Sequence, residues 1–108
     1  MREEVGRVDV GDGEVLKVGI EMNKGISVED GEITVSVVGK VFVECGYEEK
    51  EVYEREFSKV VNVVNLGDVS MSDLDKIANE IESDLRAVAT NIYVMLKLAK
   101  EWGWDISF

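Results

Sequence analysis

Carboxylates dominate the reactive side chains of this chain: 23 Asp and Glu stand beside 12 Lys and Arg, a single cysteine and no histidine. Without imidazole the commonest general base and metal ligand is missing, and no Cys-His or Ser-His nucleophile pair can form. Cys45 falls on the apolar parity of a strand between Glu44 and Glu48, a position for an inert structural thiol. Gly39-Lys40 is not a phosphate-binding loop, because Thr34 occupies the place of the first glycine and Val41 follows the lysine. Gly11-Asp12-Gly13 is turn chemistry, since no helix follows it. Asp73 and Asp75 could open a calcium loop, but Ile77 breaks the ligand spacing and helix capping suits them better. Glu48, Glu49, Glu51, Glu54 and Glu56 could supply an acid–base pair. Interleaved with Lys50, Arg55 and Lys59, they read instead as a solvated edge that discourages strand pairing. The expectation is a protein that is not an enzyme, with no cofactor and no metal.

The net charge of −11 is spread along the chain: residues 1–32 carry 9 acids and 4 bases, residues 33–69 carry 7 and 4, and residues 70–108 carry 7 and 4. Such a field repels nucleic acid and anionic membranes and favours basic partners. The lone cysteine precludes an internal disulfide, the N-terminal residues lack the apolar core of a signal peptide, and the uncharged run Ala87 to Leu96 is too short to span a bilayer. A soluble, cytoplasmic protein is expected. Abundant Glu and Val without Gln or His suit a heat-adapted source, although the absence of proline points the other way.

At 108 residues the chain fits one domain. Val8 and Val10 suggest a short strand, and Leu16, Val18, Ile20 and Met22 alternate with Lys17, Gly19 and Glu21 as a half-buried strand does. Asn23 to Gly31 reads as a loop. Ile33, Val35, Val37, Val41, Val43 and Cys45 then share a core face, interrupted by Gly39, which suggests a bend or bulge. Val38 and Phe42 lie on the opposite, nominally exposed side. From Val52 to Val64, Tyr53, Phe57, Val61 and Val63 share one parity while Val60 and Val64 take the other, so either a bulge lies near Val60 or both faces are buried. Leu66-Gly67-Asp68 ends this stretch.

A helix of 31 residues follows from Ser72 to Trp102, capped through Ser70 with Asp73 or Ser72 with Asp75 and stopped by Gly103. Its apolar stripe (Leu74, Ile77, Ile81, Leu85, Val88, Ile92, Met95, Ala99, Trp102) shifts phase between Ile81 and Leu85. Because Ala87 to Leu96 carries no charge, apolar groups point in several directions and demand a second packing partner. The first half of the helix is therefore assigned to the chain's own sheet. Val88, Ile92, Met95 and Leu96 are assigned to an interface between copies in a homodimer or tetramer. The fold class is α+β: a four-stranded antiparallel sheet of long strands followed by one long C-terminal helix, ββββα, in an elongated protomer.

Helix end, glycine and apolar tail carry a resemblance. Leu98-Ala99-Lys100-Glu101-Trp102-Gly103 followed by Trp104, Ile106 and Phe108, after four long strands, resembles the SecB-type export chaperones and their SecB-like relatives. Prolines that follow the glycine in that family have no counterpart here. The resemblance implies a ββββα protomer in a homo-oligomer that shields apolar segments of unfolded, often basic polypeptides. Val38, Phe42, Trp102, Trp104 and Phe108 would be the contacting groups. The alternative is a structural or adaptor oligomer whose apolar faces serve only self-association.

Overall fold

A computed structural model describes residues 1–61 and 71–108. Four strands, β1 (Arg2–Gly11), β2 (Glu14–Glu29), β3 (Glu32–Cys45) and β4 (Glu48–Val61), precede one helix, α1 (Met71–Glu101). The strands form an antiparallel meander in the order β1-β2-β3-β4, and α1 lies across one face. The fold is α+β. At a Cα radius of gyration of 18.0 Å and extents of 60 × 23 × 16 Å, the protomer is well beyond the roughly 13 Å of a compact chain this size. The interpretations resting on Val63, Val64, Leu66-Gly67-Asp68 and Ser70 lie outside the described residues.

Tight turns set the register. Gly11 pairs with Glu14 around Asp12-Gly13, where φ is 54° and 77°, the double positive φ whose twist matches that of the flanking strands. Contrary to the expected loop at Asn23 to Gly31, β2 continues through it. Every residue from Asn23 to Glu29 pairs with β3, from Asn23↔Val38 to Glu29↔Glu32, and only Asp30 and Gly31 turn. Backbone hydrogen bonds sustain this ladder where side-chain alternation fades, so Ile26 and Val28 extend beyond the covered face at 58% and 74% exposure.

The core lies between α1 and the helix-facing side of β2 and β3. Register places Val18 opposite Val43 and Ile20 opposite Val41, and these four pack with Leu16, Met22 and Val37 against Ala78, Ile81, Leu85 and Ala89. Two glycines let the helix come close: Gly6 of β1, under the Tyr93 ring, and Gly39 of β3. A Cβ at Gly39 would lie 2.5 Å from Leu85 Cδ1 and 3.1 Å from Ile81 Cγ2, and β2–β3 pairing runs through it without a shift. The mid-strand glycine therefore serves close approach rather than a bulge. The bulge in β4 is at Val52: Tyr53 pairs with Val41 and Glu51 with Phe42, leaving Val52 unpaired. From Tyr53 to Val61 the register is regular, which moves the expected irregularity away from Val60. Tyr53 and Phe57 face the helix, and Val60 is exposed.

Both edge strands fasten the middle of α1. On one side Arg86 donates to Glu3 of β1 at 2.5 Å; on the other, Asp84 accepts from the Tyr53 hydroxyl at 2.6 Å and from Arg55 at 3.3 Å, both on β4. The helix is one unbroken element, and its contact with the sheet does not stop at the phase shift. Ala89 is fully buried and Val88, Ile92 and Leu96 also pack on the core, so three of the four residues assigned to an interface between copies are engaged within the chain. The reason is the length of the strands, which carry the apolar face beyond Leu85.

Two outcomes follow from this packing. Replacing Gly39 by Val forces methyls into Leu85 and Ile81 and should destabilise the fold by about 1–3 kcal/mol, read from urea unfolding; unchanged stability would show that the helix does not sit on this glycine. The Tyr53 hydrogen bond, with Arg55 beside it, holds the Asp84 carboxyl below its ordinary value, and the same bond pushes the Tyr53 hydroxyl above its own. Stabilisation from Asp84 is present above about pH 4 and lost as pH falls further, whereas that from Tyr53 is present below about pH 10 and lost as pH rises. The stability difference between wild type and Asp84→Asn should therefore be flat near neutrality and shrink toward both extremes; a difference that is constant from pH 3 to 7 would contradict the bond.

Candidate functional site

The sheet face away from α1 is polar and ion-paired. Arg2 reaches Glu21, Glu44 and Glu49 at 3.1–3.3 Å, and Lys40 reaches Glu21 at 3.1 Å and Glu49 at 3.7 Å. Lys40's hydrogen bond lowers the Glu21 carboxyl below its ordinary value. Phe42 lies within this lattice. Its ring fills the space above Gly19, and the Arg2 guanidinium stacks on it 3.8 Å from the centroid. Phe42 is thus only 4% exposed and Val38 beside it is half-buried. The expectation that Phe42 offers open apolar surface is corrected: an arginine 40 residues earlier in the chain covers it by a cation–π contact.

Exposed apolar surface lies at both ends of the molecule, one of them formed by the C-terminal tail. Gly103, at φ 74°, ends α1 by a Schellman motif: its amide donates to Lys100 O at 3.1 Å and the Trp104 amide to Ala99 O at 2.9 Å. Reversed by this cap, the chain brings Ile106 and Phe108 back onto the core while Trp102 and Trp104 stay 64% and 67% exposed. The two indoles meet edge to face at 6.1 Å. A groove of about 300 Å³ opens where the tail returns to the core, walled by Leu16 and Val43 of the sheet, Ile92, Met95 and Leu96 of α1, Val52, Ile106 and Phe108. Lys50 is its one charged wall, with Nζ 4.7 Å above the Phe108 ring. A larger hollow of about 440 Å³ opens under the other end of α1, lined by Ile26, Val35, Leu74 and Met71.

Of the residues singled out from sequence, the groove brings together Phe108, Ile92, Met95 and Leu96; Trp102 and Trp104 are exposed and are not among its walls. Val38 and Phe42 belong to the opposite face, and Val88 packs inward on the core. Lys50 and Val52 were missed because they sit in the charged run Glu48 to Glu56. The one available signal is Val52, an aliphatic residue amid charges, which the bulge releases from the ladder. Such a groove can hold apolar groups; Lys50 and Ser107 are its polar walls. Cys45 is half-buried against the core. Glu54 is raised above its ordinary value by a hydrogen bond with Glu51, but this pair is on the polar face, away from the groove. Among the described residues no group of three or more His, Cys, Asp or Glu is arranged to hold a metal ion, and no helix is long and apolar enough to cross a membrane.

Comparison with known proteins finds no matching family model, no matching curated protein and no matching solved structure.

The tail should depend on its cap. Gly103→Ala must adopt a positive φ and should cost about 1 kcal/mol or more. The Trp104 amide should then exchange with solvent faster than in wild type; unaltered protection would show that the Schellman bonds do not hold the tail.

Proposed function

We propose that this protein is a non-enzymatic, homo-oligomeric chaperone of SecB-like build that holds apolar segments of unfolded polypeptides. The observation that carries this reading is the tail groove: nearly all of its walls are apolar, it is open to solvent, and the same C-terminal segment carries two exposed indoles. An isolated surface hydrophobe needs no explanation, whereas a contiguous apolar hollow is what a nonpolar ligand or partner chain uses. The net charge of −11 favours basic segments and keeps a surface of this kind soluble. The free Cys45 thiol suits a reducing cytoplasm.

Light scattering of a denatured client diluted into buffer tests the reading. The protein at stoichiometric excess should suppress aggregation, and Met95→Glu and Trp104→Glu should lose most of that effect while retaining native unfolding midpoints. Aggregation that proceeds unchanged in the presence of wild type would overturn it. A second reading, a structural oligomer with no client, is favoured by the apolar outer side of α1. On that reading a dye that fluoresces on apolar surface should stay dark with the native protein, whereas an open groove should bind it.

A further inference from the structure

The tail groove carries one cation, and its setting differs from that of other bases in the chain. Arg2, Arg7, Lys40, Arg55 and Arg86 each meet a carboxylate. Lys50 instead meets the Phe108 ring, 4.7 Å from its Nζ. Strand alternation explains the difference. Lys50 pairs with Val43, a residue of the core beneath the helix, whereas its neighbours Glu49 and Glu51 pair with Glu44 and Phe42 of the polar face. The strand therefore delivers an ammonium to the apolar side of the sheet and leaves the adjacent carboxylates on the other. Among the described residues no acid lines the groove, and its second polar wall, Ser107, offers a hydroxyl. The hollow at the opposite end has no such bias, because Lys24 and Asp75 both line it.

We infer that the tail groove binds a free medium-chain fatty acid, its hydrocarbon chain among Leu16, Ile92, Met95 and Leu96 and its carboxylate at the Lys50 ammonium. A volume of about 300 Å³ stands at the small end of the roughly 300–1,000 Å³ typical of small-molecule sites. A ligand with an apolar body and one anionic end answers both the walls and the charge. Lys50 is exposed, so the carboxylate stays at the water boundary and neither ion bears the desolvation cost of a buried pair. A neutral apolar compound leaves the ammonium unused, and a cationic amphiphile is opposed by it. The net charge of −11 repels anions at a distance, but beyond about 8 Å that field is screened at physiological salt. It weighs more heavily against a bilayer with many anionic heads than against one carboxylate, which selects the free acid over a membrane surface. The inference goes beyond the client reading and requires only that the groove be open.

Isothermal titration of the full chain with decanoate, below its micelle concentration, tests this together with methyl NMR of isotope-labelled methionines. Decanoate should bind at one site, moving the Met95 methyl signal and leaving that of Met71, in the other hollow, in place. Each methylene added between octanoate and decanoate should tighten binding roughly fourfold. Decanol should bind a few-fold more weakly, the margin that an exposed ion pair supplies, and decylammonium more weakly still. Lys50→Met, which keeps the reach of the side chain, should erase the preference for decanoate over decanol. Lys50→Glu should reverse the order of decanoate and decylammonium, with the unfolding midpoint retained in both variants. No binding of decanoate, equal affinity of wild type for decanoate and decanol, or a shift at Met71 in place of Met95 would overturn the inference. Aggregation suppression that persists with decanoate bound counts against the groove as the client site alone, and suppression without any decanoate binding counts against the fatty acid alone, so the two readings fail separately.

Discussion

Everything in this structure depends on how closely one long helix can lie on a four-stranded sheet. The contact is set at Gly39, the point on β3 where a missing side chain lets Leu85 and Ile81 descend onto the backbone. From there the apolar rows of β2 and β3 continue in both directions, and the helix follows them because dispersion and burial reward contact along its whole apolar side. Polar bonds at Glu3–Arg86 and Tyr53–Asp84 fix rotation about the helix axis. The first is exposed and the second part-buried; pairs this open to water add orientation more than energy.

That rotation decides what is left for function. With Ala78, Ile81, Leu85 and Ala89 turned inward, Val94 and Leu98 are necessarily turned out and Met95 to one side. A charge-free stretch of helix thus serves the sheet beneath and the groove beside it, and leaves Val94 turned to solvent. The bulge at Val52 and the glycine cap at Gly103 complete the groove by turning one strand residue and one tail toward the same hollow. Neither device belongs to the core, and both re-aim chain where a regular element would have run straight on.

The order of elements, the helix with its ends within one residue and the glycine cap were all legible in the sequence, because each depends on local periodicity or on a single residue's backbone preference. What was not legible depends on distant partners. Arg2 over Phe42 joins residues 40 apart, and no local pattern distinguishes such a ring from an open one. The outer half of β2 was hidden because its pairing is carried by backbone groups, with Asn23, Lys24, Gly25 and Ser27 giving no alternation to read. Gly39 was read as a bend because the helix it accommodates starts more than 30 residues later. Only Phe108 of the proposed contact residues reaches the groove wall; Val52 comes to it through a bulge and Lys50 through its pairing with Val43.

The meander has a further consequence, for the newly made chain. Each strand pairs only with its neighbour in sequence, so the sheet can zip up hairpin by hairpin with short loop closures, a topology that folds quickly for a β-rich protein. Its apolar face, however, is covered by the element that leaves the ribosome after all four strands. For the time needed to synthesise some 40 residues, at about 5–20 residues per second, Leu16, Val18, Ile20, Val41 and Val43 form a sheet surface without a cover. The acid-rich edge of β4 and the charged lattice on the opposite face are then what keeps the nascent sheet from joining another.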